Sequence, residues 1–268
     1  MNTHLKETEK AFDKAAHDYD LHDNANPLLV WMREIVHKVY MEYLKPDSKI
    51  LELNAGTGID ARYLASQGMR VYATDISREM IGVLKLNSAD LIAKGMISTE
   101  VKSFDDIGEI KENNFDAVIS NFGGLNCINS FGKLSRDISD KMKSRGLFIA
   151  VVMNKLCPWE IFYYMLRFKP AQAFRRLNKY GVFAELNGIK VKTYYFSPHG
   201  FAREFSKYFM LTKIYSLGLL TPPPYLQGIY GKFKPLVRQL MKADELICKT
   251  FPFNLAGDHF IIVMKKRN

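Results

Sequence analysis

The sequence has few cysteines and no long apolar run. Its three cysteines among 268 residues, Cys127, Cys157 and Cys248, lie far apart and are odd in number, which argues against a disulfide framework or a cysteine metal site. The most apolar stretches, 146–153 and 259–264, are far shorter than the roughly 20 residues that cross a bilayer. The first fourteen residues are charged and contain no apolar signal core. These features predict a cytoplasmic globular protein.

Acidic residues are scarce in one segment of this basic chain. From Lys155 to Lys192, eight basic residues are accompanied by two acidic ones, so the segment carries +6 of the chain's net charge of +10. Such a segment could contact nucleic acid, anionic lipid or an anionic substrate, or it could be a solvated helix face. Aromatic residues at helical spacing within it, among them Tyr163, either pack internally or line a cleft for a large apolar substrate.

The middle of the chain alternates short apolar runs with helical segments. Helices are expected over 5–44, with a break at Asn26-Pro27, and again over 60–66, from 78 onward and over 132–142. Strands are expected at 49–53, 70–74, 99–102, 115–120 and 146–153. This order predicts a doubly wound α/β fold with a mostly parallel sheet.

The pattern changes after residue 153. A helix is expected over 159–179 and a hairpin over 182–195, with its turn at Asn187-Gly188. Strands at 211–215 and 260–264 would complete a seven-stranded sheet whose last strand is antiparallel. The predicted organisation is a helical cap (1–46), a Rossmann-like cofactor-binding core (47–153), a basic, aromatic lid insertion (154–200), and C-terminal strands with an excursion around Pro222–Pro224 (201–268).

A glycine turn follows the first predicted strand in the segment LELNAGTG. Gly56 and Gly58 allow a tight turn and a close approach of backbone to ligand, and the next helix presents its amides there. Asp75 ends the neighbouring strand, where a carboxylate can accept hydrogen bonds from both hydroxyls of a ribose. The spacing also fits the dinucleotide fingerprint, so an NAD(P)-dependent oxidoreductase is an alternative. Glu52 would repel a diphosphate but not a sulfonium amino acid, which favours a methionine-type cofactor.

Residues 48–153 resemble the core of the class I S-adenosylmethionine-dependent methyltransferases. The segments LELNAGTG, VYATDIS, FDAVISNFGGLN and GLFIAVVM occur in the order that this family requires. The resemblance implies S-adenosylmethionine as cofactor, S-adenosylhomocysteine as product, and methyl transfer to a small-molecule acceptor by in-line displacement. It implies cofactor contacts for Tyr19 and Arg33 from the cap, Glu52, Asn54, Ala55, Gly56 and Gly58 at the methionine part, Asp75 at the ribose, Ile76, Ser103 and Phe104 at the adenine, and Asn121 and Phe122 under the sulfonium.

The chain departs from the family pattern at two positions. Asn54 stands where the family has the first glycine of the turn, and asparagine tolerates a left-handed backbone better than most residues. Ser103 replaces the more usual acidic residue beside the adenine.

No catalytic residue is evident, because methyl transfer from a sulfonium depends mainly on orientation and desolvation. Candidate bases are His199 in a Pro-Gly turn, His259 after Asp258, and Tyr163. The six histidines show no metal spacing. Nucleic acid is not expected as a partner, since no Asn-Pro-Pro-Tyr-like motif follows the fourth strand. Peripheral membrane contact through the basic segment, and a non-catalytic module that binds cofactor or an anionic surface, are further alternatives; the oligomeric state is not predicted.

Overall fold

Seven strands form one sheet in a computed structural model, which describes residues 3–186 and 188–268. The described residues contain nine strands in all: β1 (Lys49–Leu53), β2 (Arg70–Asp75), β3 (Ile97–Val101), β4 (Phe115–Ser120), β5 (Met142–Met153), β6 (Val182–Leu186), β7 (Ile189–Thr193), β8 (Phe209–Leu217) and β9 (His259–Lys266). The sheet order is β3-β2-β1-β4-β5-β9-β8, and β6 and β7 form a separate hairpin. Only β9 runs antiparallel to its neighbours β5 and β8. The predicted sheet, with its antiparallel last strand, is confirmed.

Helices cover both faces of the sheet. Those of the described residues are α1 (Thr3–Ala15), α2 (Tyr19–Ala25), α3 (Pro27–Tyr43), α4 (Ile59–Ser66), α5 (Arg78–Asn87), α6 (Ala89–Ala93), α7 (Gly132–Lys141), α8 (Pro158–Met165), α9 (Pro170–Ala173), α10 (Pro198–Phe205), α11 (Gln227–Lys232) and α12 (Lys234–Ile247). Residues of α3, α4, α5 and α12 pack in one apolar core, and those of α7 and α10 in the other. The doubly wound arrangement is therefore confirmed.

The central strands are buried on both sides, as a parallel sheet between two helical layers requires. On β1, Ile50 points into one core and Leu51 into the other. Because successive side chains of a strand alternate between faces, a continuous apolar run supplies both layers. The carboxyl ends of β1, β2 and β4 consequently meet at one edge of the sheet.

The break expected at Asn26-Pro27 marks a helix start. The Asn26 side chain accepts a hydrogen bond from the Leu28 N–H at 3.1 Å, and Pro27 occupies the first turn of α3, where its missing N–H costs nothing. A second break, absent from the sequence prediction, separates α1 from α2 at residues 16–18. Residues 3–44 thus contain three helices.

The single helix expected over 159–179 is wrong. α8 ends at Met165, the chain turns at Phe168, whose φ of 57° is left-handed, and α9 begins at Pro170, which cannot continue the preceding helix. The hairpin is confirmed as β6 and β7, although Asn187 of its expected turn lies outside the described residues. Among the residues that the structure covers, no helix has both the length and the apolarity to span a membrane.

Candidate active site

A cleft opens at the carboxyl ends of β1, β2 and β4, with about 860 Å³ of free space that includes its open mouth. It gathers ten of the thirteen residues predicted to contact a cofactor: Tyr19, Arg33, Asn54, Ala55, Gly56, Asp75, Ile76, Phe104, Asn121 and Phe122. Glu52, Gly58 and Ser103 do not line it.

Asp75 connects the glycine turn to the end of β2. Its Oδ2 accepts the Gly56 N–H and its Oδ1 accepts the Ser77 N–H, both at 2.8 Å. Burial raises the pKa of Asp75 to about 6, and the two backbone donors oppose that rise. Each carboxylate oxygen accepts one fixed bond and retains a lone pair for a donor in the cleft.

The two glycines of the turn have different functions. Gly56, with a φ of 55°, lines the cleft and leaves it open. Gly58, with a φ of 81°, is the residue before α4, and a Cβ there would lie 2.5 Å from Leu84 Cγ on α5. Gly58 therefore permits α4 to pack closely against α5.

Asn54 cross-links the ends of β1 and β4. Its φ of 46° confirms the predicted left-handed backbone. Its Nδ2 donates to the Asn121 carbonyl at 2.6 Å, and its Oδ1 accepts from Ser120 Oγ at 2.5 Å. A Cβ at position 124 would lie 2.3 Å from Asn54 Cγ, so Gly124 provides the space that this side chain occupies.

Asp60, in the first turn of α4, is a cleft residue that sequence reasoning missed. It accepts bonds from Arg33 Nη1 at 2.8 Å and Asn121 Nδ2 at 2.6 Å, and lies 2.7 Å from His37 Nε2. Burial alone would raise the pKa of Asp60, but the Arg33 guanidinium and the His37 contact hold it well below its usual value. The sequence signal that could have identified Asp60 is an acidic residue two positions after the last glycine of the turn.

Arg33 is held from three sides. Besides Asp60, it forms an ion pair with Asp23, and its guanidinium carbon lies 4.7 Å from the centre of the Phe122 ring. These contacts fix the cation at the wall of the cleft.

The first two helices cover the cleft. Asp13 on α1 accepts a hydrogen bond from Ser77 Oγ at 2.6 Å, and Thr57 of the glycine turn donates to Asp20 on α2. Leu5, Thr8 and Phe12 of α1 line the cleft; no motif in the sequence had indicated them.

Glu52 and Ser103, which were also predicted to contact the cofactor, do not line the cleft. Glu52 is buried on β1, and its Oε2 makes no hydrogen bond with any described residue. Burial, followed by the nearby Asp60, raises its pKa well above the usual value. Ser103 accepts the Asp105 N–H and donates to Asp106, so it caps a short 3₁₀ turn, while Phe104 and Lys102 on either side reach the cleft.

The three candidate bases lie outside the cleft lining. His199 is exposed at the start of α10, and Tyr163 on α8 lies 4.1 Å beneath the Arg167 guanidinium. His259, the first residue of β9, places Nδ1 2.9 Å from Asp258 Oδ2, and its ring packs edge-on against Phe122 with centroids 5.9 Å apart. His259 is the candidate in contact with a cleft residue.

Residues 51–150 match the methyltransferase domain family. No curated protein matches the chain. Among solved structures, the chain is similar to the CcbJ methyltransferase of Streptomyces caelestis, with a TM-score of 0.63 and 14% identity over 96% of this chain and 98% of that one. A chain from a complex that contains the Haloferax volcanii Trm112 methyltransferase activator gives a TM-score of 0.60 and 15% identity, over 96% and 98%.

A third similar structure is geranyl diphosphate C-methyltransferase from Streptomyces coelicolor A3(2), in complex with S-adenosylhomocysteine, Mg²⁺ and geranyl diphosphate. It gives a TM-score of 0.55 and 12% identity over 87% of this chain and 80% of that one. Identities this low establish the fold alone, whereas the family match decides between the methyltransferase and the oxidoreductase that the glycine turn left open. Residues 51–150 thus form a methyltransferase domain, for which S-adenosylmethionine is the cofactor.

Proposed function

We propose that the chain methylates a small-molecule acceptor by in-line displacement, with its cofactor held in the cleft between Asp75 and Arg33. The observation that carries this proposal is the buried Asp75 carboxylate, which is tied to Gly56 and open to the cleft. The unpaired thiols of Cys127, Cys157 and Cys248 agree with a reducing cytoplasm, where we propose that the enzyme acts.

The residues of the cleft fit S-adenosylmethionine. Asp75 offers two acceptor oxygens for ribose hydroxyls, and the apolar side chains of Ile76 and Phe104 suit a flat adenine. At the other end, Arg33 and Tyr19 offer donors for a carboxylate, and Gly56 lets the backbone approach. Asn121 and Phe122, after β4, would flank the sulfonium. Bound there, the cofactor supplies a methyl group on a positively charged sulfur, which activates the carbon for displacement.

The protein's own part is orientation and exclusion of water. Holding a nucleophile and an electrophile in line can contribute roughly 7–11 kcal/mol to lowering the barrier. The Arg33–Asp60–Asn121 network fixes the wall beneath Phe122, and α1 covers the cleft, so the arrangement needs little movement during the reaction.

We propose His259 as the base for acceptors that must lose a proton. Asp258 orients its ring through Nδ1, and Nε2 makes no hydrogen bond with any described residue, which leaves it available for an acceptor beside Phe122. His199 and Tyr163 lack a comparable position, and we do not assign them a role.

Calorimetry with S-adenosylmethionine and S-adenosylhomocysteine tests the cofactor proposal. Both should bind to the wild type, and Asp75→Ala should weaken binding by about a hundredfold, because two charge-assisted hydrogen bonds are lost. Asp90→Ala on α6 is the matched control and should bind like the wild type. Unchanged affinity in Asp75→Ala would reject the site.

His259 is tested on any acceptor that the enzyme turns over. His259→Gln should lower kcat by about 10²–10⁴-fold, with the cofactor Kd unchanged. A parallel loss of cofactor binding would instead assign His259 a structural role behind Phe122.

A further inference from the structure

Residues 162–180 expose a concentration of apolar side chains. Phe162, Leu166 and Phe168 are 61%, 64% and 92% exposed, and Met165, Phe174 and Leu177 are each about half exposed. The spacing of residues 162, 165 and 166 places them on one side of α8 and its C-terminal cap. Soluble proteins rarely expose contiguous apolar groups without a binding function.

The side chains on the inner face of this segment already make contacts within the protein. The Trp159 indole donates to the Leu220 carbonyl, and Glu160 is buried among Arg175, Arg176 and Tyr225, with hydrogen bonds of 2.6, 2.9 and 2.9 Å. Because these contacts anchor α8 and the chain after α9, the exposed residues form a fixed outer surface.

Phe168 occupies a backbone position that normally takes glycine. Its φ is 57°, and the chain closes α8 through the Lys169 N–H bond to the Tyr164 carbonyl at 2.9 Å. A bulky residue with a left-handed backbone is strained, typically by 1–3 kcal/mol, and such strain often marks a functional position. With 92% of its surface exposed, the Phe168 side chain gains almost no packing energy within the folded chain.

The charges around these residues are of one sign. The segment 162–180 contains no acidic residue, and Arg167, Lys169 and Lys179 are exposed beside the apolar side chains. Arg175 and Arg176 are taken up by Glu160 and Asp258 inside the protein. Apolar side chains flanked by exposed cations match a membrane interface, where apolar groups enter the acyl boundary and cations meet anionic headgroups.

We propose that residues 162–180 bind the surface of an anionic lipid bilayer, with Phe168 inserted at the headgroup boundary. Nucleic acid is disfavoured because the aliphatic side chains of Met165, Leu166 and Leu177 cannot stack on bases as aromatic ones do. A protein partner is disfavoured because the exposed cations lie among the apolar side chains, whereas charged residues are depleted from the core of protein interfaces. The proposal does not depend on the identity of the methyl acceptor.

Cosedimentation of the full chain with vesicles tests this surface. Wild-type protein should bind vesicles of mixed phosphatidylcholine and phosphatidylglycerol, and bind less as salt is raised. Phe168→Ser should lower the partition coefficient by about tenfold. Arg167→Gln and Lys169→Gln should each lower it by about fivefold, with no effect on vesicles of phosphatidylcholine alone.

Matched control variants distinguish binding by this surface from non-specific binding of exposed apolar or cationic side chains to vesicles. Leu86→Ser on α5 removes an apolar residue that is 79% exposed, and Lys94→Gln removes an exposed cation; neither should change vesicle binding. Cofactor affinity should be the same in all variants, which establishes that they are folded. The proposal would be overturned if the wild type did not bind vesicles or if the control variants lost as much binding as the test variants. It would also be overturned if Phe168→Ser dissociated a dimer without changing vesicle binding, or if the protein bound RNA in a salt-sensitive way and did not bind vesicles.

Discussion

Asp75 is a buried carboxyl group that two backbone amides hold in place at the cleft. Burial raises its pKa to about 6, so an appreciable fraction is protonated in mildly acidic solution. Without ligand, the folded protein binds more protons than the unfolded chain between the usual value of 3.8 and about 6. Its contribution to the free energy of unfolding therefore decreases as pH rises through that window.

Cofactor affinity should depend on the ionisation of Asp75. Ribose hydroxyls would stabilise the charged carboxylate, so affinity should fall as pH drops below about 6, by at most about tenfold per pH unit. Calorimetry across this range checks the expectation. Asp75→Asn should bind more weakly at all pH values and show no such dependence; an unaltered profile in that variant would assign the titration to another group.

Asn54 and Gly124 form a pair in which the Asn54 side chain occupies the space that a side chain at position 124 would need. Gly124→Ala should lower the free energy of unfolding by about 1–3 kcal/mol, because its Cβ would collide with Asn54 Cγ. Asn54→Gly should also destabilise, since the two lost hydrogen bonds outweigh the ~1 kcal/mol of backbone strain that glycine relieves.

The double variant distinguishes this pair from two independent defects. With Asn54→Gly in place, the space beside position 124 is free, and Gly124→Ala should then cost almost nothing further. Urea unfolding of the four proteins measures the coupling, and strictly additive losses would contradict the contact.

At the scale of elements, specific polar contacts attach α1 and α2 to the cleft. Asp13 meets Ser77 at the start of α5, and Asp20 meets Thr57 and Arg62. Ala15, Ala16 and Met80 add a small apolar cluster apart from the two main cores. These contacts hold α1, which lines the cleft, over the proposed cofactor site.

Loosening the contact between α1 and α5 should change cofactor binding, because α1 lines the cleft. Asp13→Ala removes a charge-assisted hydrogen bond and should raise the Kd for S-adenosylmethionine by about tenfold, mainly through faster release. Stopped-flow dissociation with limited proteolysis of α1 measures this. Asp18→Ala changes an exposed residue between α1 and α2 and should leave both the dissociation rate and the proteolysis of α1 unaltered. Equal effects of the two variants would rule out a specific role for the contact of Asp13 with Ser77.

For the whole molecule, a buried ion network joins the segment after β5 to the start of β9. Arg176 contacts Glu160 and Asp258, and Asp258 in turn orients His259. Burial opposes ionisation of Asp258, yet Arg176 and His259 hold its pKa well below the usual value. The network fixes both α8 and the proposed base relative to the sheet.

Removing Arg176 should destabilise the fold strongly. Arg176→Ala leaves Asp258 and part of Glu160 buried without their partner, and should lower the free energy of unfolding by about 3–5 kcal/mol. The difference from wild type should shrink in acid, because Asp258 stabilises the native state above its unfolded pKa and loses that contribution as pH falls. Thermal unfolding against pH measures this, with Arg203→Ala as the exposed control; a cost near that of the control would exclude the network.

The sequence by itself determined the fold class and most of the cleft. Strand positions and the seven-stranded sheet follow from apolar runs, and the position of Gly56 and Asp75 follows from the glycine motif, because these signals are local to a few consecutive residues. The other predicted cleft residues were implied by the resemblance to the methyltransferase family. The same locality explains the error at the 159–179 helix, where the turn at Phe168 decides the outcome.

Only the tertiary structure decided which distant residues meet. Asp60 contacts Arg33 and Asn121, which are 27 and 61 residues away in the sequence. Helix α1 reaches the cleft from the N-terminal end of the chain, and Arg176 contacts Asp258 across 82 residues. Ionic pairing of this kind leaves no periodic trace in the sequence. Its energy depends on burial and on the orientation of both partners, which exist only once the sheet has brought its strand ends together.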